Sequence, residues 1–175
     1  GQFATHIKTS FFAGVIVASP YVFWELWRFV APALHPGENK MARGIVFFSS
    51  FLFLLGVFFG YYVIAPLSIN FLGSYQVSAA VANQISLTSF ISTVTTVSFA
   101  NGVIFQLPIL VYFLTKIGLL TPDFMRIYRK HAMVLILVLS AVITPPDITS
   151  QILVSFPLLV LYEISIKISK NIIKN

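Results

Sequence analysis

Only five side chains in this chain of 175 residues are acidic: Glu25, Glu38, Asp123, Asp147 and Glu163. In a sequence that is 58% aliphatic and aromatic and 9% charged, each is a place where chemistry could be done. Glu38 is the one acid of a short polar loop that follows Pro32 and Pro36 and carries Lys40 and Arg43. A carboxylate there can accept a pair of parallel hydrogen bonds from a guanidinium, a fork that lysine does not reproduce. The plainer alternative is a solvated loop acid paired weakly with Lys40 or Arg43. Just before the loop, Tyr21, Phe23, Trp24, Trp27 and Phe29 form an aromatic cluster that also holds Glu25 and Arg28. Gln106 lies within a long apolar segment and offers hydrogen bonds without charge or titration. Thr144, Asp147 and Gln151 surround a Thr-Pro-Pro-Asp turn, with Asp147 placed to cap the helix that follows.

The same inventory excludes several classes. With no cysteine there is no disulfide, no thiolate metal site and no cysteine nucleophile. His6, His35 and His131 are far apart, so no metal site is expected. There is no HExxH, no serine elbow and no pair of membrane-buried aspartates, so neither an enzyme nor a cofactor is expected. The formal charge of +6 does not gather into one patch or a nucleic-acid motif. A small-solute transporter or channel is the standing alternative, because polar residues inside spans line pathways. The lack of an inverted repeat and the very few buried charges speak against it.

The elements that must position these residues are membrane helices. A soluble domain carries about a quarter charged residues, and this composition instead reads as an all-α polytopic integral membrane protein. At about 20 residues per span, residues 1–175 form a single domain of five transmembrane helices. The first segment runs from Phe3 to Phe29, with Ser19-Pro20 expected to bend it. The second runs from Gly44 to about Phe71, and its Gly56 and Gly60 form a GxxxG that allows close helix approach. The third, about Ile85 to Ile117, is expected to break near Asn101, Gln106 and Pro108. Its Ser89, Thr93 and Thr96 share one face, which is expected to point into protein or a wet cavity. Thr121-Pro122-Asp123 opens the next helix. Its apolar run, Ala132–Ile143, covers only about 18 Å at ~1.5 Å per residue, against a hydrocarbon core of ~30 Å. The last segment, Ile148 to about Ile166, also reads as short, with Glu163 set to pair with Lys167 one turn on.

Ten of the eleven Lys and Arg residues fall at alternate loops or in the tail, and Lys8 alone lies opposite. The positive-inside rule makes the side with ten cytoplasmic, the C-terminus included. Residue 1 then lies outside. The expectation is a further helix and a cytoplasmic N-terminal segment ahead of it, six spans in all.

Four stretches carry a resemblance: SPYVFWELWRFVAPALHPGE, FANGVIFQLPIL, GLLTPDFMRIYRKHA and ITPPDITSQILVSFPLLVLYEISI. In this order and at these separations the chain resembles TatC, the multispanning receptor subunit of the twin-arginine protein translocase. The likeness runs from that family's second transmembrane helix to its C-terminal tail. It implies a concave, glove-like arrangement of helices in the cytoplasmic (inner) membrane of a bacterium, with no covalent catalysis. It also implies binding of signal peptides with consecutive arginines and assembly with the single-span proteins TatA and TatB into an oligomeric TatBC-type complex. Folded proteins would then be exported using the proton-motive force. Under the resemblance, Glu38 matches the loop glutamate used for the twin-arginine motif, and Phe29 and Pro32 match the aromatic–proline stretch before it. Glu25 stands where the family more often has glutamine, and it either adds attraction for arginines or pairs with Arg28. Gln106 stands where many members carry a glutamate. It then acts as a polar contact to a partner helix or to water, or bonds to a neighbouring helix within the fold. Thr144, Asp147 and Gln151 match the polar patch where a TatA or TatB helix docks.

Overall fold

The computed structural model describes residues 2–30, 39–74, 86–144 and 147–174, and every regular element among them is helical. The first helix, α1 (Gln2–Val30), continues without a break through the Ser19-Pro20 step. Pro20 has no N–H for the Ile16 carbonyl, and the hydroxyl of buried Ser19 donates to that oxygen at 2.7 Å instead. The freed acceptor is thereby satisfied inside an apolar environment.

A second rod is made of α2 (Asn39–Phe59), a π-helical turn (Gly60–Ile64) and α3 (Ala65–Ser74). Pro66 explains the wide turn. Its ring would crowd the carbonyl four residues back, and widening the preceding turn, with the Ala65 N–H reaching the Gly60 carbonyl, makes room.

The third rod breaks where expected. Between α4 (Leu87–Ile104) and α5 (Leu107–Lys116), the Gln106 N–H turns back to the Val103 carbonyl, and the Ile109 N–H bonds the Gln106 carbonyl, each at 3.0 Å. Pro108 in the first turn of α5 enforces this tighter geometry. The GxxxG does bring helices together. A Cβ on Gly56 would lie 2.6 Å from the Asn101 carbonyl oxygen of α4, and one on Gly60 would lie 2.7 Å from the Ser98 Cα. Gly102 answers from α4, where a Cβ would meet Val57 and Phe53 below 3 Å.

Positive φ at Gly118 (77°) ends α5, and the Leu119 and Leu120 N–H groups fold back onto the Leu114 carbonyl. Thr121 caps the short α6 (Pro122–Ile127) by accepting the Phe124 N–H at 3.2 Å. Two antiparallel helices complete the fold, α7 (Arg129–Ile143) and α8 (Ile148–Lys174). Val154 and Leu158 of α8 are sealed in the core with Ile136 of α7, Met125 of α6 and Val111 of α5.

Four stretches are long and apolar enough to cross a membrane: Gln2–Phe29, Arg43–Ser74, Leu87–Lys116 and Ile148–Lys174. The chain is therefore a multi-pass, all-α membrane protein. The fifth expected span, α7, is 15 residues, about 22 Å at ~1.5 Å per residue, as its short apolar run foretold. Two expectations need correction. The last segment is not short: α8 has 27 residues, because Ser165, Ile166 and Ser169 remain buried and Thr115 of α5 donates to the Ser169 hydroxyl at 3.0 Å. The hydroxyl face of α4 is not turned inward either. Ser89 and Thr96 are exposed, and hydroxyls there bond their own helix, Thr93 to the Ser89 carbonyl and Thr95 to that of Ile91. Such back-bonding removes the need for a wet cavity, and Val97, Ser98 and Asn101 form the buried face instead.

Candidate functional site

Polar side chains in a membrane helix reveal their roles by where their hydrogen bonds go. Gln106, at the break between α4 and α5, makes a two-point contact with α2. The Ser49 hydroxyl donates to its Oε1 at 2.6 Å, and its Nε2 donates to the Ser49 carbonyl at 3.0 Å. Both capacities of the amide are used across one helix interface, and no charge is needed. Ser49 itself is buried; only the break, by turning Gln106 toward α2, pairs it with a residue 57 positions away. Nothing in the apolar run around Ser49 signals this partner.

The Thr-Pro-Pro-Asp turn gathers a second group. Asp147 accepts from the Ser150 N–H at 3.0 Å, the Ser150 hydroxyl at 2.9 Å and the Thr149 N–H at 3.4 Å. These bonds to Ser150 and Thr149 hold its carboxyl below the usual carboxylate range. Thr144 is buried, and its hydroxyl donates to the Ser140 carbonyl at 2.8 Å. Gln151 reaches across from α8 to the Leu137 carbonyl of α7 at 3.3 Å. The three residues thus lie together at the point where α7 turns into α8, each bonded within the hairpin.

At the end of α1 the aromatic cluster divides. Trp27 is buried, its ring 5.8 Å from that of Phe113 on α5. Phe29 is 85% exposed. Glu25 forms an exposed ion pair with Arg28 at 3.0 Å. Glu38 and Pro32 lie outside the described residues.

Glu163 has a different partner from the one expected. Arg129, at the start of α7, donates to its Oε2 at 2.9 Å. Tertiary packing wins over the i,i+4 lysine because α7 and α8 are antiparallel, and the buried Tyr162 next door ties α8 to the Met125 carbonyl at 2.8 Å.

The family model for "Sec-independent protein translocase protein (TatC)" matches residues 1–157. The chain belongs to the TatC family. It is 43% identical over 97% of its length to the Sec-independent protein translocase protein TatC of Blattabacterium sp. subsp. Periplaneta americana, of which it covers 64%. The TatC of Helicobacter pylori strain J99 is also 43% identical, over 94% of this chain and 66% of that protein. This TatC-family chain therefore spans just under two thirds of the length of these curated relatives. Among solved structures, the crystal structure of the twin arginine translocase receptor TatC in DDM aligns with a TM-score of 0.77 and 37% identity, covering 94% of this chain and 73% of that one. A further crystal structure of the same receptor aligns with a TM-score of 0.76 at 35% identity.

Proposed function

We propose that this chain is the body of a signal-peptide receptor in the Tat translocase, a non-enzymatic subunit through which folded proteins leave the cytoplasm using the proton-motive force. The observation that carries the reading is family membership along nearly the whole chain, with an alignment to a solved TatC receptor that covers 94% of it. In this reading residues 1–175 are one transmembrane domain, with Lys- and Arg-rich loops and the C-terminus in the cytoplasm. Glu38 takes the arginine pair by bidentate hydrogen bonding, and the exposed ring of Phe29, together with Pro32 and Glu25, flanks the peptide. The Thr144–Asp147–Gln151 turn receives the helix of TatA or TatB. What supports this role is that the three polar residues lie together where α7 meets α8, and a partner helix that brings a matching polar residue meets them better than lipid does.

The test is site-specific photocrosslinking in membranes, using the full-length protein with probes at Phe29 and at Glu38. A twin-arginine signal peptide is compared with its twin-lysine variant. The expected result is labelling of the arginine peptide, loss with lysine, and at least a tenfold loss from the Phe29 probe in Glu38→Ala. Equal labelling of the two peptides, or labelling unaffected by Glu38→Ala, would overturn the assignment of Glu38.

A further inference from the structure

Contacts with α8 fix the depth of the chain between α5 and α7. Thr115, near the end of α5, is hydrogen-bonded to Ser169. The Met125 carbonyl of α6 instead accepts from Tyr162, and Arg129 at the start of α7 pairs with Glu163. Tyr162 lies seven residues before Ser169 on α8, about 10 Å nearer the Thr-Pro-Pro-Asp turn at ~1.5 Å per residue. After Gly118 the chain therefore turns back, and α6 descends beside α8 instead of standing clear of the membrane. Counted from Ile148, Tyr162 is about 21 Å along α8 and Ser169 about 32 Å. A hydrocarbon core of ~30 Å thus reaches past the level of Tyr162.

Two sets of side chains stay uncovered at this depth. Pro122 and Met125 are buried. Away from them Phe124, Ile127 and Tyr128 share an outer face at i, i+3 and i+4, with Phe124 52% and Ile127 74% exposed. The Phe124 and Tyr128 rings pack on each other with centroids 4.5 Å apart, so this face is preformed. Arg126 and Lys130 are exposed as well and form no ion pair among the described residues. The nearby acid, Glu163, is taken by Arg129, and Asp123, a turn nearer the end of α5, offsets one of the two charges. An unpaired cation within reach of hydrocarbon requires a counter-anion or water, and the apolar face beside it keeps bulk water out. A phospholipid meets both demands, since its phosphate and its acyl chains are adjacent.

We infer that the α6–α7 elbow binds an anionic phospholipid: its acyl chains cover Phe124, Ile127 and Tyr128, and Arg126 and Lys130 hold its phosphate, drawn inward to their level. Interfacial helices use the same two contributions, burial of an apolar face and attraction of flanking cations to negative headgroups. Nothing in this contact requires signal-peptide binding.

The experiment reconstitutes the full-length protein in nanodiscs with a trace of phosphatidylglycerol or phosphatidylcholine, each carrying the same acyl-chain diazirine, and maps crosslinks by mass spectrometry. Phosphatidylglycerol should label segment 124–130 about fivefold more than phosphatidylcholine does. Arg126→Gln combined with Lys130→Gln should abolish that preference, and Arg126→Lys with Lys130→Arg should keep it. Lys170→Gln with Lys174→Gln, an equal loss of charge at the end of α8, should leave it unchanged. In a background without other cysteines, a nitroxide at Ile127→Cys should be more accessible to oxygen than to a water-soluble nickel chelate. Greater access to the chelate places the elbow in water and overturns the site. Equal labelling by the two lipids, or an equal loss in the Lys170 and Lys174 variant, overturns the headgroup contact. Shielding of the nitroxide from both reagents, whatever the lipid, would mean that protein covers the face and overturns the lipid reading.

Discussion

Gln106 and Ser49 are a matched pair of neutral groups, and the pairing sets what each substitution should do. Gln106→Leu removes two hydrogen bonds across the α2–α5 interface and should cost about 1–3 kcal/mol, read as a lower unfolding temperature in detergent. Gln106→Glu is more informative. A carboxylic acid there can still accept from the Ser49 hydroxyl, but it can face the Ser49 carbonyl only as a protonated donor. The ionised form sets a second acceptor against the Ser49 carbonyl and loses the bond that Nε2 donates there, so the variant should unfold at a lower temperature than the wild type in detergent at neutral pH; an unfolding temperature equal to that of the wild type would rule out this geometry. Asp147 sets a pH dependence at the start of α8. The Ser150 and Thr149 bonds lower its pKa, so its capping contribution persists at neutral pH and is lost only as pH falls below the usual carboxylate range. Amide exchange at Thr149 and Ser150 should accelerate in Asp147→Ala and stay slow in Asp147→Asn, since asparagine also caps.

Among elements, the glycine seam brings the second rod and α4 into backbone contact. Gly60→Ala would place a methyl 2.7 Å from the Ser98 Cα, and neither backbone can yield cheaply. Overpacking of this kind costs about 1–3 kcal/mol. Gly14→Ala and Gly44→Ala are the controls: nothing lies within 4 Å of either new methyl, and each should be neutral or stabilising by up to about 1 kcal/mol through helix propensity. Thermal unfolding of the three variants separates packing from propensity. This seam was legible in the sequence because glycines four apart in an apolar run have a direct geometric meaning. So was the break at Pro108, because proline's missing N–H acts locally. The extent of α8 was not legible. Lys167, Lys170 and Lys174 read as a tail, and only packing of Ser165, Ile166 and Ser169 reveals that the helix continues beneath them. The hydroxyl face of α4 misled for a related reason. A serine or threonine in a helix can satisfy itself on its own backbone, so its presence does not define an inward face. Glu163 shows the same limit, since its nearest cation in sequence is not its nearest in space. Family likeness made Glu38 and the Thr-Pro-Pro-Asp stretch readable as candidate sites, whereas Ser49 becomes visible only when α2 and α5 are laid side by side.

At the scale of the molecule, the charge pattern and the helix lengths make one joint claim about direction. Four full-length spans and the short α7 put the end of α1, the start of α2, the α5–α7 region and the end of α8 on one side, and those are the places where ten of eleven cations lie. The exposed end of α3 at Gly73 falls on the other side. Because these 175 residues contain no cysteine, an introduced thiol is the only one among them. In intact cells a membrane-impermeant maleimide should label Gly73→Cys and leave Lys130→Cys and Lys170→Cys untouched until the membrane is opened. The opposite pattern would reverse the orientation, and with it the side on which the proposed Glu38 contact would lie. Labelling of Lys130→Cys but not Lys170→Cys from outside would mean that one of α7 and α8 does not cross. The outcome follows from electrostatics alone: cations flanking spans are retained on the cytoplasmic side, and Lys8, the lone exception, is already engaged with the Ser92 hydroxyl at 2.9 Å.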